Sequence, residues 1–323
     1  MRSRNGCRMT AATRDLLGYA GSPPDPCWPG GARVAVSVVV NFEEGAEYSI
    51  ADGDGENEAV YEIEQRIVGR PDPAIDSHFE YGSRAGWWRI MDVLRGHGAR
   101  ATVSASGRAV ERLPLLARDA VDRGHEVSAH GWRWESHDGL DEATERDRIV
   151  RTVAAIAATT GVRPVGWHTR SPGSPNTRRL LVEEGGFLYD SDAYNDDLPY
   201  FDHVGGKRHL VLPYAFDTND MQLFHTQRFS GARDFAEYVI DAFDWLHGEG
   251  AHQPKMMSIG LHLRIIGRPG RIGALDRILR HVADKGGAWI APRVDIARHW
   301  LIRFPEESAP GTETSGSSGP KGR

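Results

Sequence analysis

The sequence predicts an α/β fold in which short strands alternate with helices, either a (β/α) barrel or an open doubly wound sheet. Three observations carry that prediction. The run Val34-Ala-Val-Ser-Val-Val-Val-Asn41-Phe42 is almost wholly apolar and rich in β-branched residues, the pattern of a strand buried on both faces. Between such runs lie segments with helical spacing, such as Ile149, Val153, Ile156 and Ala157. Acids, imidazoles and a guanidinium stand just after several predicted strands, at the ends where parallel α/β folds place their chemistry.

Residues 1–30 contain Pro23-Pro24, Pro26 and Pro29-Gly30-Gly31, which favour an extended arm, with Cys27 and Trp28 expected to pin it to the body. The body spans 31–305, and its first strand ends in Asn41-Phe42-Glu43-Glu44-Gly45. The acidic stretch from Gly45 to Pro73 reads as a long loop. Its Tyr48, Ile50, Val60, Tyr61 and Ile63 need burial, so it is expected to roof a site or meet another subunit. Ser83 is the expected N-cap of a helix through Leu94, which closes on Gly96-His97-Gly98. A second strand, Ala101 to Ala105, precedes a helix from Val110 to Arg123 that Gly124 ends. Glu126 to Gly131 reads as a strand, Asp141 to Thr160 as a helix and Val165 to Trp167 as a strand. Asn176 caps a helix that stops at Gly185-Gly186. Strands follow at Tyr189 to Asp192, Leu210 to Tyr214 and Ser258 to His262, then a helix from Ala274 to Lys285 and a strand from Ala288 to Ala291. The tail, 306–323, is rich in Gly, Ser, Pro, Thr and Lys and is expected to be disordered.

Composition narrows the function classes. A net charge of -6, from 39 Lys and Arg against 45 Asp and Glu, gives no reason to expect nucleic acid or an acidic membrane as partner. No apolar run approaches membrane-spanning length, and Met1-Arg-Ser-Arg is too short and polar an opening for a signal peptide, so a cytoplasmic address is expected. Two cysteines, Cys7 and Cys27, imply no disulfide framework. The glycine patterns that cradle phosphates are absent, so no nucleotide is expected.

The strand ends carry Glu43-Glu44, His130-Gly-Trp132-Arg133-Trp134-Glu135, Arg170-Ser-Pro172, Asp190-Ser-Asp192 and Leu261-His262. Any one of these groups is as readily a hydrogen-bonded structural residue. Their arrival at one end of one barrel points to catalysis. Two adjacent carboxylates also repel, which raises the pKa of one of them.

The order of these groups resembles the polysaccharide deacetylase superfamily (carbohydrate esterase family 4). Its members have a distorted (β/α) barrel, an Asp-Asp pair after strand one, a His-x-x-x-His metal pair, an Arg-x-Pro segment and a late Leu-x-His. Here Asn41-Phe42-Glu43-Glu44 stands at the first element, His130 and Trp134 at the metal pair, Arg170-Ser171-Pro172 at the third and Leu261-His262 at the last. Longer words resemble the allantoinase subgroup of bacterial urate catabolism. They include Asn41-Phe-Glu-Glu-Gly, His130-Gly-Trp-Arg-Trp, Tyr189-Asp-Ser-Asp, Asp217-Thr-Asn-Asp220, Ser258-Ile-Gly-Leu-His262 and Val294-Asp-Ile-Ala-Arg-His-Trp300. The segment from Gly166 to Thr177 departs from that subgroup by one extra residue, by His168 and by the place of its arginine.

The resemblance implies a hydrolase of non-peptide carbon–nitrogen bonds, opening a cyclic ureide (allantoin to allantoate) in purine catabolism. Such chemistry needs an activated water, a stabilised oxyanion and a proton for the leaving nitrogen. Glu43 or Glu44 is the expected base, and His262 the acid, with a Glu oxygen within bridging-water reach of His262 or His130. His130 positions the carboxylate or polarises the carbonyl. Arg170 orients Glu43 or the substrate's carbonyl oxygens. Trp132 and Trp134 wall the pocket or simply pack the barrel. Glu80 and Arg84 contact substrate or form a surface pair. His168 lies in the altered loop beside the substrate. An indole at 134 cannot ligate a metal, so no cofactor is expected, the alternative being a weakly held divalent ion at His130 and Glu44. The expected partner is a small cyclic amide or ureide, and the expected assembly a homo-oligomer. Two other readings stand beside this one: a metal-dependent N-deacetylase of an acetamido sugar, and an inactive barrel that serves as a binding protein.

Overall fold

The computed structural model describes residues 14–306, except 61, 62, 64, 171, 172 and 225–228. Among these, nine strands form one curled half-barrel sheet. They are β1 (Val34–Phe42), β2 (Thr102–Ala105), β3 (Glu126–Ala129), β4 (Gly166–Trp167), β5 (Tyr189–Asp190), β6 (Tyr200–Val204), β7 (Lys207–Val211), β8 (Lys255–His262) and β9 (Ala288–Ile290). The order across the sheet is β6-β7-β5-β4-β3-β2-β1-β8, parallel except for the β6–β7 hairpin. All nine residues of β1 are buried, as its apolar run requires. β8 pairs along one edge of β1, while β9 takes the start of the other edge and β2 its end.

Between β8 and β7 the barrel is sutured by side chains. The buried Arg293 guanidinium donates to Ser191 Oγ, Ser258 Oγ and the carbonyls of Leu212 and Pro213. Helices cover the outer face, and no helix of the described residues is long and apolar enough to cross a membrane. The N-terminal arm is pinned by Trp28, which is buried and donates its indole N–H to Lys255 O. Cys27, expected to share that task, is exposed. Cys7 and the tail from 307 lie outside the described residues.

Several elements differ from the sequence reading, each for a local reason. The helix expected to start at Ser83 begins ten residues earlier, at Pro73. Asp72 caps it by accepting from the amides of Ala74 and Ile75, and Pro73 sits where a missing N–H does no harm. This helix (Pro73–Tyr81) passes through a π turn (Gly82–Gly86) into Trp87–Gly96. The expected helix from Val110 to Arg123 is two, Gly107–Arg112 and Pro114–Asp122, because Leu113 precedes a proline and leaves the helical region. The loop after Asp192 contains the β6–β7 hairpin, turned by Gly205 and Gly206, both with positive φ. The helix Ala232–Glu249 had no counterpart in the sequence reading.

Candidate active site

Phe42, Ala105, Ala129, Trp167 and Asp190 lie side by side in the register of β1 to β5. The residues that follow them, Glu43, Ser106, His130, His168 and Ser191, therefore share one rim. Each of the last four donates its amide to the closing carbonyl of the neighbouring strand, Phe42, Ala105, Ala129 and Trp167 respectively. On the other edge of β1, Asn41 is in register with His262. Parallel strands with matched ends thus deliver a carboxylate and three imidazoles to one place.

Glu43 is at the centre, with 1% of its surface exposed. Its Oε1 lies 3.4 Å from Nε2 of both His130 and His262, and its Oε2 accepts from Arg264 Nη1 at 2.7 Å. The expected approach of a Glu oxygen to an imidazole is met. Burial works against the charged carboxylate, but His262 and Arg264 outweigh it and hold the Glu43 pKa well below the usual range. His262 Nδ1 donates to Asp220 Oδ1 at 2.6 Å. Burial disfavours its cation, yet Glu43 and Asp220 together push its pKa up to about 10. His130 Nδ1 is 2.6 Å from the carbonyl oxygen of His168. A carbonyl only accepts, so Nδ1 carries a proton and Nε2 is turned to Glu43. His168 stacks on His130 and packs against Tyr214, and burial holds its pKa well below the ordinary imidazole value, so it is neutral.

These groups line a cavity of about 560 Å³. Of the residues singled out in the sequence, Glu43, His130, His262, Trp134, Arg170 and His168 lie on its wall. Ala59 and Val60 of the 45–73 loop, Tyr194 before β6 and Phe216 after β7 close it. The 45–73 loop therefore roofs the site; its Tyr61 falls outside the described residues, as do Ser171 and Pro172 of the Arg-x-Pro segment.

Four of the expected residues are placed elsewhere. Glu44 turns away from the cavity: an added Cβ on Gly82 would stand 2.1 Å from its Oε1. Burial, with Glu43 adding to it, raises its pKa to about 8 despite the opposing charge of Arg264. Trp132 packs the barrel wall, with Arg151 stacked 3.9 Å over its ring and Gly107 against its edge. Glu80 and Arg84 form an exposed pair at 3.5 Å, outside the cavity. Arg170 lines the cavity but does not reach Glu43. It stacks 3.8 Å over Trp134, donates to Trp134 O and faces Glu58.

The arginine on Glu43 is instead Arg264, which the sequence reading missed. Its signal was a charged residue inside Leu263-Arg-Ile-Ile266, directly after the late histidine. Asp220 closes the Asp217-Thr-Asn-Asp220 word, which by itself gives the residue no role. It is fully buried, and its Oδ2 accepts from the amides of His262 and Ile266.

The metal that serves other members of the resembled family does not suit this donor set. Trp134 offers no lone pair, Glu43 Oε2 is taken by a guanidinium, and Glu44, the other carboxylate considered for a weak ion, faces away. Among the described residues no group of three or more His, Cys, Asp or Glu is disposed to hold a metal ion.

Comparison with known proteins agrees with the geometry. Residues 68–187 match the polysaccharide deacetylase family. Over 91% of its length the chain is 39% identical to a polysaccharide deacetylase-type protein of Schizosaccharomyces pombe, 98% of which is covered. The crystal structure of PuuE allantoinase superposes with a TM-score of 0.88 at 46% identity, covering 91% of this chain and 99% of that one. A probable polysaccharide deacetylase of Pseudomonas aeruginosa PAO1 gives a TM-score of 0.88 at 46% identity, covering 92% and 100%.

Proposed function

The chain belongs to the polysaccharide deacetylase family of hydrolases, and we propose that within it this protein opens the ring of a small cyclic ureide, allantoin to allantoate. The observation that carries the reading is the Glu43 Oε1 position, 3.4 Å from the Nε2 atoms of two imidazoles in a roofed cavity. A water there is held by Glu43 Oε1 and gives its proton to His130 Nε2, whose tautomer is fixed by the carbonyl of His168. Glu43, held in its charged form by His262 and Arg264, orients the water and balances the charge that builds on His130. The water oxygen bonds to the ring carbonyl carbon, and Arg170 is assigned to the carbonyl oxygen. The carbon–nitrogen bond then breaks as His262, an imidazolium between Asp220 and Glu43, gives its proton to the leaving nitrogen. A pKa of about 10 keeps that proton in place at neutral pH and still lets it pass to the far more basic departing nitrogen.

A second reading has one observation in its favour. A groove of about 580 Å³ adjoins the cavity through Tyr194, Tyr214 and Phe216, and Trp245 on its wall is 73% exposed. A longer substrate, such as an acetamido sugar chain, would use it. Incubation with allantoin and with chitooligosaccharides, scored for allantoate and acetate, tests the choice. Allantoate alone is expected, and acetate alone would overturn the proposal.

A further inference from the structure

The site holds a second buried cation that the mechanism above does not use. Arg264 lies two residues beyond His262 in the one-turn helix Leu263–Ile266 and is 0% exposed. Its guanidinium carbon is 4.5 Å from the Phe79 ring centroid and 4.8 Å from that of Trp134, and these two rings meet edge to face. Aromatic faces attract a weakly hydrated planar cation, and more so away from water. Its Nη1 holds Glu43 Oε2 at 2.7 Å.

The surrounding backbone is shaped to admit this helix. A Cβ on Gly86 would stand 2.1 Å from Leu263 O, and one on Gly267 would stand 2.4 Å from Gly86 Cα. The π turn Gly82–Gly86 brings the first helical arm to that contact. Trp134 thus has a use of its own. Where the resembled family has a ligand, this chain has one wall of a cation seat.

We propose that Arg264 is a positioning residue for hydrolysis: seated on Trp134 and Phe79, its guanidinium clamps Glu43 by Oε2 and so reserves Oε1 for the attacking water and the two imidazoles. The inference rests on the reading of Glu43, His130 and His262 as the reacting groups. A guanidinium suits the task because its planar fork stacks and donates at once, which an ammonium cannot do.

The test is chemical rescue. Arg264→Ala should lose about 100-fold or more in kcat with KM within about threefold, since Glu43 is misaligned rather than the substrate released. Guanidinium ion at tens of millimolar should bind the vacated seat and restore about tenfold of that loss, whereas methylammonium should not. Adding Trp134→Leu should abolish both binding and rescue. Unchanged kcat in folded Arg264→Ala, or rescue by any cation alike, overturns the proposal. Should Arg264→Ala fail to fold by circular dichroism, Arg264→Lys decides: a kcat reduced about tenfold or more at constant KM supports the clamp, and wild-type kcat refutes it. If allantoin is not turned over, the functional reading alone fails. Calorimetric titration of guanidinium into Arg264→Ala, with and without Trp134→Leu, still reads the seat.

Discussion

Replacing Asp220 by asparagine removes one charge and leaves the shape. Asp220 now accepts three hydrogen bonds, from His262 Nδ1 at 2.6 Å and from the amides of His262 and Ile266 at 2.8 and 3.1 Å. An amide cannot serve all three. With its oxygen on the two backbone donors, its NH₂ faces Nδ1 and forces the neutral imidazole. The rise of the His262 pKa from 6.5 to about 10 amounts to about 5 kcal/mol in favour of the imidazolium. Losing one of the two carboxylates forfeits about half of this, and a donor facing Nδ1 takes the imidazole below about pH 7.

At pH 9 the protonated fraction then falls to roughly 1%, and kcat falls about 100-fold, a deficit that shrinks towards pH 6. The sign for stability follows from linkage. A raised imidazole pKa stabilises the fold fully below about 6.5, and that stabilisation is lost as pH rises through about 10. Asp220→Asn should therefore be destabilised most in acid, by about 2–4 kcal/mol, and least above pH 10. The assay is the pH–kcat profile with a parallel set of thermal melts. A variant that keeps its basic limb near 10, or loses rate equally at every pH, refutes the assignment of His262 as acid.

Glu43→Gln and Glu44→Gln should separate the two adjacent carboxylates: the first is expected to lose about 100-fold or more in kcat, the second less than about threefold, in the same ring-opening assay. The buried Glu44 should make wild-type stability decline as pH rises from about 4.5 to about 8, and Glu44→Gln should flatten that decline by a few kcal/mol in denaturant titrations. Gly82→Ala should lower stability by about 1–3 kcal/mol, because its Cβ meets Glu44 Oε1, and Glu44→Ala in the same chain should relieve most of the loss. Equal melting points for the single and double variants would show that the contact is not the cause.

What was legible in the sequence was what depends on local pattern. The β1 run could only be a buried strand, and its matched end with β8 placed Glu43 beside His262. Glu43 and His130 could be named on the rim because parallel strands end together, whereas Ser106 after β2 was not singled out. Glu44 misled because adjacent residues at a strand end face opposite ways, and only the turn at Gly45 decides which of them enters the cavity. Trp132 was lost to the outer wall for another reason: β3 ends at Ala129, and no strand period governs the irregular segment that carries Trp132 and Trp134. The Asp72-Pro73 start was written in the chain as a cap followed by a proline, but the preceding Pro71 made the stretch read as loop. Arg264 and Asp220 were out of reach for a different reason. Each acts on a partner far along the chain, Glu43 and His262, and only tertiary packing brings the pairs together.

The most direct measurement is the rate of allantoin ring opening by protein dialysed against a strong chelator, compared with the same protein supplied with zinc. The account predicts allantoate at the same rate in both samples, because Arg264, Glu43, His130 and His262 already supply the charge, the orientation and the protons. Loss of activity in chelator with full recovery on adding zinc would contradict it.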